Sequence, residues 1–112
     1  MNLSDRLDGD VAIIDLGGRL VSCEELRVFQ DKIRAYLDSD VRRFVIDLSG
    51  VENTGSEGLG SLIAAYTSVR KADGRFVLAN INNVRNLLTI TRLYGVFEAY
   101  GSRAEALKAV RS

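Results

Sequence analysis

A chain of 112 residues that is 46% hydrophobic and 27% charged has the length of about one domain and enough apolar content for a packed core. Fifteen basic side chains balance fifteen acidic ones, so no long-range field draws the molecule onto nucleic acid or anionic lipid. With no His and one Cys, Cys23, a His/Cys zinc site, a His-based catalytic triad and an internal disulfide are excluded by counting.

The first ten residues carry charges rather than the apolar core of a signal peptide, and no stretch approaches the roughly 20 apolar residues that span a bilayer. A cytoplasmic protein with no membrane insertion is expected, and the lone thiol fits a reducing compartment. There is no Pro, so element ends are read from caps, glycines and periodicity. Val11-Ala12-Ile13-Ile14-Asp15-Leu16 reads as a strand stopped by Gly17-Gly18, with residues 3–7 pairing back across Asp8-Gly9-Asp10. Ser22 followed by Glu25 forms a capping box, and Leu26, Phe29, Ile33, Tyr36 and Leu37 continue at helical spacing to about Asp38. Phe44-Val45-Ile46-Asp47-Leu48 is a second strand, followed by a polar loop over residues 49–55. From Ser56 to about Ala72 the residues Leu59, Leu62, Ile63, Tyr66 and Val69 share one helical face, with Gly74 placed as a C-terminal cap. Phe76-Val77-Leu78-Ala79 is a strand, Val84, Leu87 and Leu88 mark a short helix, and residues 96–100 supply a last strand. Ser102 with Glu105 opens a closing helix through Ala106, Leu107 and Val110. Alternating strands and helices imply crossover connections. The expectation is a single α/β domain over residues 1–112, with one mixed, largely parallel sheet of four or five strands and about four helices.

The stretch Thr54-Gly55-Ser56-Glu57-Gly58-Leu59-Gly60 is the most informative. A helix opens there with two glycines near its first turn, although each interior Gly costs about 1 kcal/mol relative to Ala. Missing side chains let another surface approach the backbone, and the unpaired N–H groups of a helix N-terminus favour a negative group. The plainer reading is that Ser56 or Thr54 is an N-cap and the glycines serve helix–sheet packing. A nucleotide-binding loop is disfavoured: the Lys-Ser/Thr ending of a P-loop is missing, and Ile63 stands where G-x-G-x-x-G needs its last glycine. Cys23 near the start of the first helix has either a dipole-activated thiol or the role of a small packed residue. Arg42-Arg43 and Arg70-Lys71 read as solvated faces. Glu24 and Glu25 point to different helix faces, and Cys23 has no His to activate it, so an enzyme is not expected.

Asp47-Leu48-Ser49-Gly50-Val51 followed by Gly55-Ser56-Glu57-Gly58-Leu59-Gly60 resembles the STAS domains, and within them the stand-alone anti-sigma factor antagonists, whose strand ends in a D-L-S-x-V type sequence before D-S-S-G-L-G opens a helix. The resemblance extends over nearly the whole chain, including Leu16-Gly17-Gly18-Arg19-Leu20 and Leu93-Tyr94-Gly95-Val96-Phe97. It implies a non-enzymatic partner-switching module with no cofactor and no metal. Ser56 would be the phosphoacceptor, modified by an anti-sigma factor that is a serine kinase and restored by a phosphatase. Thr54, Gly55, Ser56, Glu57, Gly58, Leu59 and Gly60 would form the partner-binding surface. Gly55 and Glu57 depart from the motif's Asp and second Ser. The alternative is a STAS subunit of a larger signalling or transport assembly in which Ser56 stays unmodified.

Overall fold

The computed structural model describes residues 2–20, 23–54, 56–81 and 97–111, with the side chains of residues 20, 23, 53, 54 and 56 outside the description. Strands β1 (Asn2–Asp8) and β2 (Val11–Leu20) form the expected hairpin, pairing Asp8 with Val11 across Gly9 and Asp10. Gly9 has φ 64°, which a tight two-residue hairpin turn requires and which side chains resist. Helix α1 (Cys23–Asp38), strand β3 (Arg43–Thr54), helix α2 (Ser56–Lys71), strands β4 (Arg75–Ala79) and β5 (Glu98–Tyr100), and helix α3 (Arg103–Arg111) follow. The strands lie in one sheet in the order β1-β2-β3-β4-β5, antiparallel at the hairpin and parallel from β2 onward. The expected short helix around Val84, Leu87 and Leu88 lies outside the described residues, as do Ser22 of the first capping box and Val96 of the last strand.

Each parallel strand is added on the same side of its predecessor, so right-handed crossovers carry α1 and α2 to one face. Phe29, Ile33, Leu62 and Val69 from the helices pack there on Ile14, Phe44, Ile46 and Leu78 of the sheet. On the opposite face, Ala106 and Val110 of α3 cover Val11, Ile13, Val45 and Val77. Central strands covered on both sides need nearly unbroken apolar runs, which explains the sequences of β2, β3 and β4. The Ser102 cap of α3 is present: the Glu105 amide donates to Ser102 Oγ at 3.2 Å, and the hydroxyl donates to Glu105 Oε1 at 3.3 Å.

The structure corrects two expectations. The strand starting at Val11 does not stop at Gly17-Gly18, and residues 49–54 are not a loop. β2 and β3 instead stay paired to Leu20↔Thr54, with register shifts between Asp15 and Gly17 and between Gly18 and Arg19. These bulges absorb two extra residues of β3, so a polar sequence is held as strand by its neighbour's hydrogen bonds. Gly74 caps α2 as expected, its amide donating to the Val69 carbonyl at 2.8 Å, while the left-handed residue of the cap is Asp73 with φ 59°. A Cβ at Gly74 would lie 2.6 Å from the Arg42 carbonyl oxygen and 2.8 Å from Val69 Cγ1, so glycine is required there for close approach.

Candidate functional site

The bulged extension of β3 decides where the proposed phosphoacceptor lies. Thr54, the last residue of β3, is in register with Leu20, and Ser56 is the first residue of α2. Gly55 lies outside the described residues. The serine therefore follows a hydrogen-bonded strand by two residues and starts a 16-residue helix, at the end of the sheet where parallel strands present their carboxyl termini. Helix N–H groups without intrahelical acceptors lie at this point. The charges around it are acidic: Glu52 and Glu57 are both exposed. Arg19, in register with Asn53, is exposed on the neighbouring strand.

The other residues expected to meet a partner divide by helical phase. Glu57 and Gly60 are exposed, whereas Gly58 and Leu59 are buried and Leu59 belongs to the core between helices and sheet. Gly60 is informative because a Cβ there would meet nothing within 4 Å. Packing among the described residues gives no reason for a glycine at this helical position.

Earlier on β3, nine residues before Ser56, lies a polar node that the motif reading did not resolve. Asp47 is 2% exposed. Its carboxylate accepts the Ser49 amide at 2.9 Å, Asn80 Nδ2 at 3.1 Å and Arg103 Nε at 2.9 Å. Arg103 also binds Asp15, which stands opposite Asp47 on β2. Burial pushes the Asp47 carboxyl up, but the hydrogen bonds from the Ser49 amide, Asn80 and Arg103 outweigh it and hold the group below its ordinary value. The node ties the first half of β3, the exit of β4 and the start of α3 into one unit. Sequence gave Asp47 as part of a motif but no sign of Arg103, 56 residues away.

A second tie fixes α2 against α1. Gln30 Nε2 donates to the Ser61 carbonyl at 2.6 Å and to Ser61 Oγ at 2.9 Å. Gln30 occupies the face of α1 next to α2, and its only sequence signal is that it falls between Arg27 and Arg34 at helical spacing. Among the described residues no three His, Cys, Asp or Glu side chains cluster as metal ligands, and no described helix is long and apolar enough to cross a membrane. Arg42 donates to the carbonyls of Leu37 and Val41, and Arg43 pairs with Asp10 at 2.5 Å, so this basic pair closes the opposite end of the molecule.

Comparison with known proteins places this geometry. BtrV of Bordetella bronchiseptica, provisionally named an anti-sigma factor antagonist, is 27% identical over 109 residues, covering 96% of this chain and 92% of its own. The crystal structure of an anti-sigma factor antagonist from Mycobacterium paratuberculosis is 27% identical with a TM-score of 0.83, covering 99% of this chain and 94% of that one. The phosphorylated form of the Bacillus cell fate determinant SpoIIAA, at 16% identity, shares the fold, with a TM-score of 0.76 over 97% of this chain and 99% of that one. The family profile described as "Mlab, STAS domain" matches residues 3–98, and the chain belongs to the STAS domain family.

Proposed function

We propose that this chain is a single-domain anti-sigma factor antagonist working in the cytoplasm. The exposed surface at the start of α2 docks a kinase-type anti-sigma factor, and phosphorylation of Ser56 by that factor ends the interaction until a phosphatase removes the group. One observation carries the reading: Ser56 opens α2 directly after a strand still paired to its neighbour, with exposed Glu57 and Gly60 on the same turn of helix. The names of BtrV and of the mycobacterial protein support antagonism, and SpoIIAA shows that a protein of this fold exists in a phosphorylated form.

The switch follows from charge. A phosphate adds about −1.5 to −2 charges and three acceptor oxygens, on a surface that already carries Glu52 and Glu57 and must lose water to bind a partner. The N-terminus of α2 returns about 0.3–1 kcal/mol, so the domain itself tolerates the group. An interfacial charge left unpaired costs about 2–5 kcal/mol, more than tenfold in affinity. The complex fails while the fold persists. Ser56 is thus a substrate and the chain supplies no catalysis.

The test is to incubate the protein with the anti-sigma factor kinase and ATP and to weigh it. One added phosphate mapped to Ser56 is expected, and Ser56→Ala should abolish it. An unmodified mass, or a phosphate elsewhere, defeats the assignment. Gly55 and Glu57, standing where the motif has Asp and Ser, favour a second reading, in which the domain is a STAS subunit of a larger signalling or transport assembly and Ser56 stays bare. Co-purification in a large particle with an unmodified serine selects that reading.

A further inference from the structure

Between the outer faces of α1 and α2 runs an open groove of about 560 Å³, floored by Leu26 and Ala64. Arg27 and Arg34 stand on its α1 wall with the acidic Asp31 between them, and Glu57 marks the end of the α2 wall nearest Ser56. The two arginines are seven residues apart on one helix, about 10 Å along its axis. Arg27 is exposed and makes no ion pair among the described residues, and Arg34 has only a 3.8 Å contact with an equally exposed Asp31. Gln30, between them, is engaged with Ser61 across the groove, so the walls are held at a fixed spacing. Gly60 and Ala64 leave the exposed face of α2 low, and among the described residues nothing comes within 4 Å of a Cβ placed on Gly60.

We infer that this groove seats an amphipathic helix of the anti-sigma factor, with its apolar stripe on Leu26 and Ala64 and an acidic edge along Arg27 and Arg34. The inference rests on the antagonist reading and deepens it by naming a second recognition surface beside the serine. Charge complementarity selects the occupant: two under-used guanidinium groups two helical turns apart match carboxylates at i and i+7 of a helix lying alongside. The acidic Glu57 on the facing wall sets the direction, because the acidic edge of the visiting helix must turn toward α1. Arginine forks accept carboxylates in defined geometry, so the groove fixes register as well as adding contact.

The probe is the purified kinase-type anti-sigma factor, titrated calorimetrically against the unphosphorylated full chain. Arg27→Glu combined with Arg34→Glu should weaken binding tenfold or more, and Ala64→Trp, which fills the groove without a charge change, should weaken it comparably. Arg6→Glu makes the charge change of one such reversal on β1, in register with Ile13 on the sheet's other face, and should stay within twofold of wild type. Unfolding midpoints close to wild type for all three proteins verify folding. Restored affinity when an acidic helix residue of the factor is changed to Arg against the doubly reversed chain completes the expected result. Wild-type affinity for both the double reversal and Ala64→Trp overturns the groove and leaves antagonism standing. No binding by the wild type overturns antagonism and the groove with it. A wild-type dimer dispersed by the double reversal makes the occupant a second copy and also overturns the assignment.

Discussion

Two glycines near or in α2 should respond to alanine in opposite directions, and the contrast measures what each is for. Gly60 lies inside α2, where glycine is about 1 kcal/mol less favourable than alanine, and an added Cβ meets nothing within 4 Å. Gly60→Ala should therefore stabilise the isolated domain by about 0.4–1 kcal/mol, raising the unfolding midpoint by about 4 °C. Gly74 lies just beyond the helix, and its added Cβ would sit 2.6 Å from the backbone oxygen of Arg42. That oxygen also accepts the Arg75 amide at 2.7 Å, so it cannot retreat without loosening the entry to β4. Gly74→Ala should cost about 1–3 kcal/mol. Thermal and urea unfolding of both variants check the stabilities, and titration with the anti-sigma factor checks the function of Gly60→Ala. A more stable protein that binds less well is expected, because the new methyl group stands where the partner comes close. A stabilised variant with unchanged affinity would refute the claim that Gly60 serves a partner, and a destabilised one would refute its placement on an open helix face.

Replacing Asp47 by Asn sets an amide among the donors of Ser49, Asn80 and Arg103 and removes the charge that holds the guanidinium; a loss of about 2–3 kcal/mol is expected in urea unfolding, the lower end of the range for a broken buried pair because Arg103 is partly solvated. The Asp47 carboxyl is held below its ordinary value of 3.8, so its contribution is complete above that pH and disappears as pH falls through the lower folded value. The wild type should lose stability over this acid range more steeply than Asp47→Asn. Tyr36 donates its hydroxyl to Asp5 of β1, and burial, followed by that hydrogen bond and the Asp5 charge, pushes the phenol up to about 12. Its stabilisation should be intact below pH 10 and fade between pH 10 and 12, and Tyr36→Phe should remove the slowest-rising component of the tyrosinate absorbance titration. Ser56→Asp should weaken the anti-sigma factor complex at least tenfold while shifting the unfolding midpoint by no more than about 2 °C, since a negative group at a helix N-terminus is tolerated.

The parts of the fold legible in the sequence are those in which local pattern and burial agree. Phe44-Val45-Ile46 and Phe76-Val77-Leu78 are buried on both faces, and such runs have few alternatives to a central strand. The Ser102 and Glu105 pair states the start of α3 without help from the rest of the chain. Residues 49–54 were opaque for the opposite reason. Ser49, Gly50, Glu52 and Asn53 read as loop, and only pairing with the continuing β2 strand, through two register shifts, holds them extended; neither partner carries that information alone. Gly74 is legible as a cap, but the constraint that excludes a side chain there is a carbonyl contributed by Arg42, 32 positions earlier, which no local pattern shows. At the site, Ser56 and its glycines were visible as a motif, but the division of the set into exposed Glu57 and Gly60 and buried Gly58 and Leu59 follows from the phase at which α2 meets the sheet. Gln30 and Arg103 carried no local signal, since each acts on a residue distant in sequence.

In the proposed switch, the bulged pairing that the sequence pattern hid also reconciles phosphorylation of Ser56 with a stable domain. Had residues 49–54 been a loop, a doubly charged group beyond its end would find backbone able to move, and part of its energy would go into rearranging the chain. Paired as far as Leu20↔Thr54, with Asp47 tied to Ser49, Asn80 and Arg103 and α2 tied to α1 by Gln30, the serine is delivered by strand on one side and helix on the other. The favourable end of the helix dipole offsets part of the added charge within the domain, whereas in the proposed switch the partner's surface meets a hydroxyl in the unmodified form and an uncompensated charge in the phosphorylated one. The more rigid the frame, the larger the share of the electrostatic cost that falls on the interface. Loosening the frame by Asp47→Asn should therefore narrow the affinity gap between the unmodified and phosphorylated forms; a gap unchanged by that substitution would show that the frame does not carry the switch.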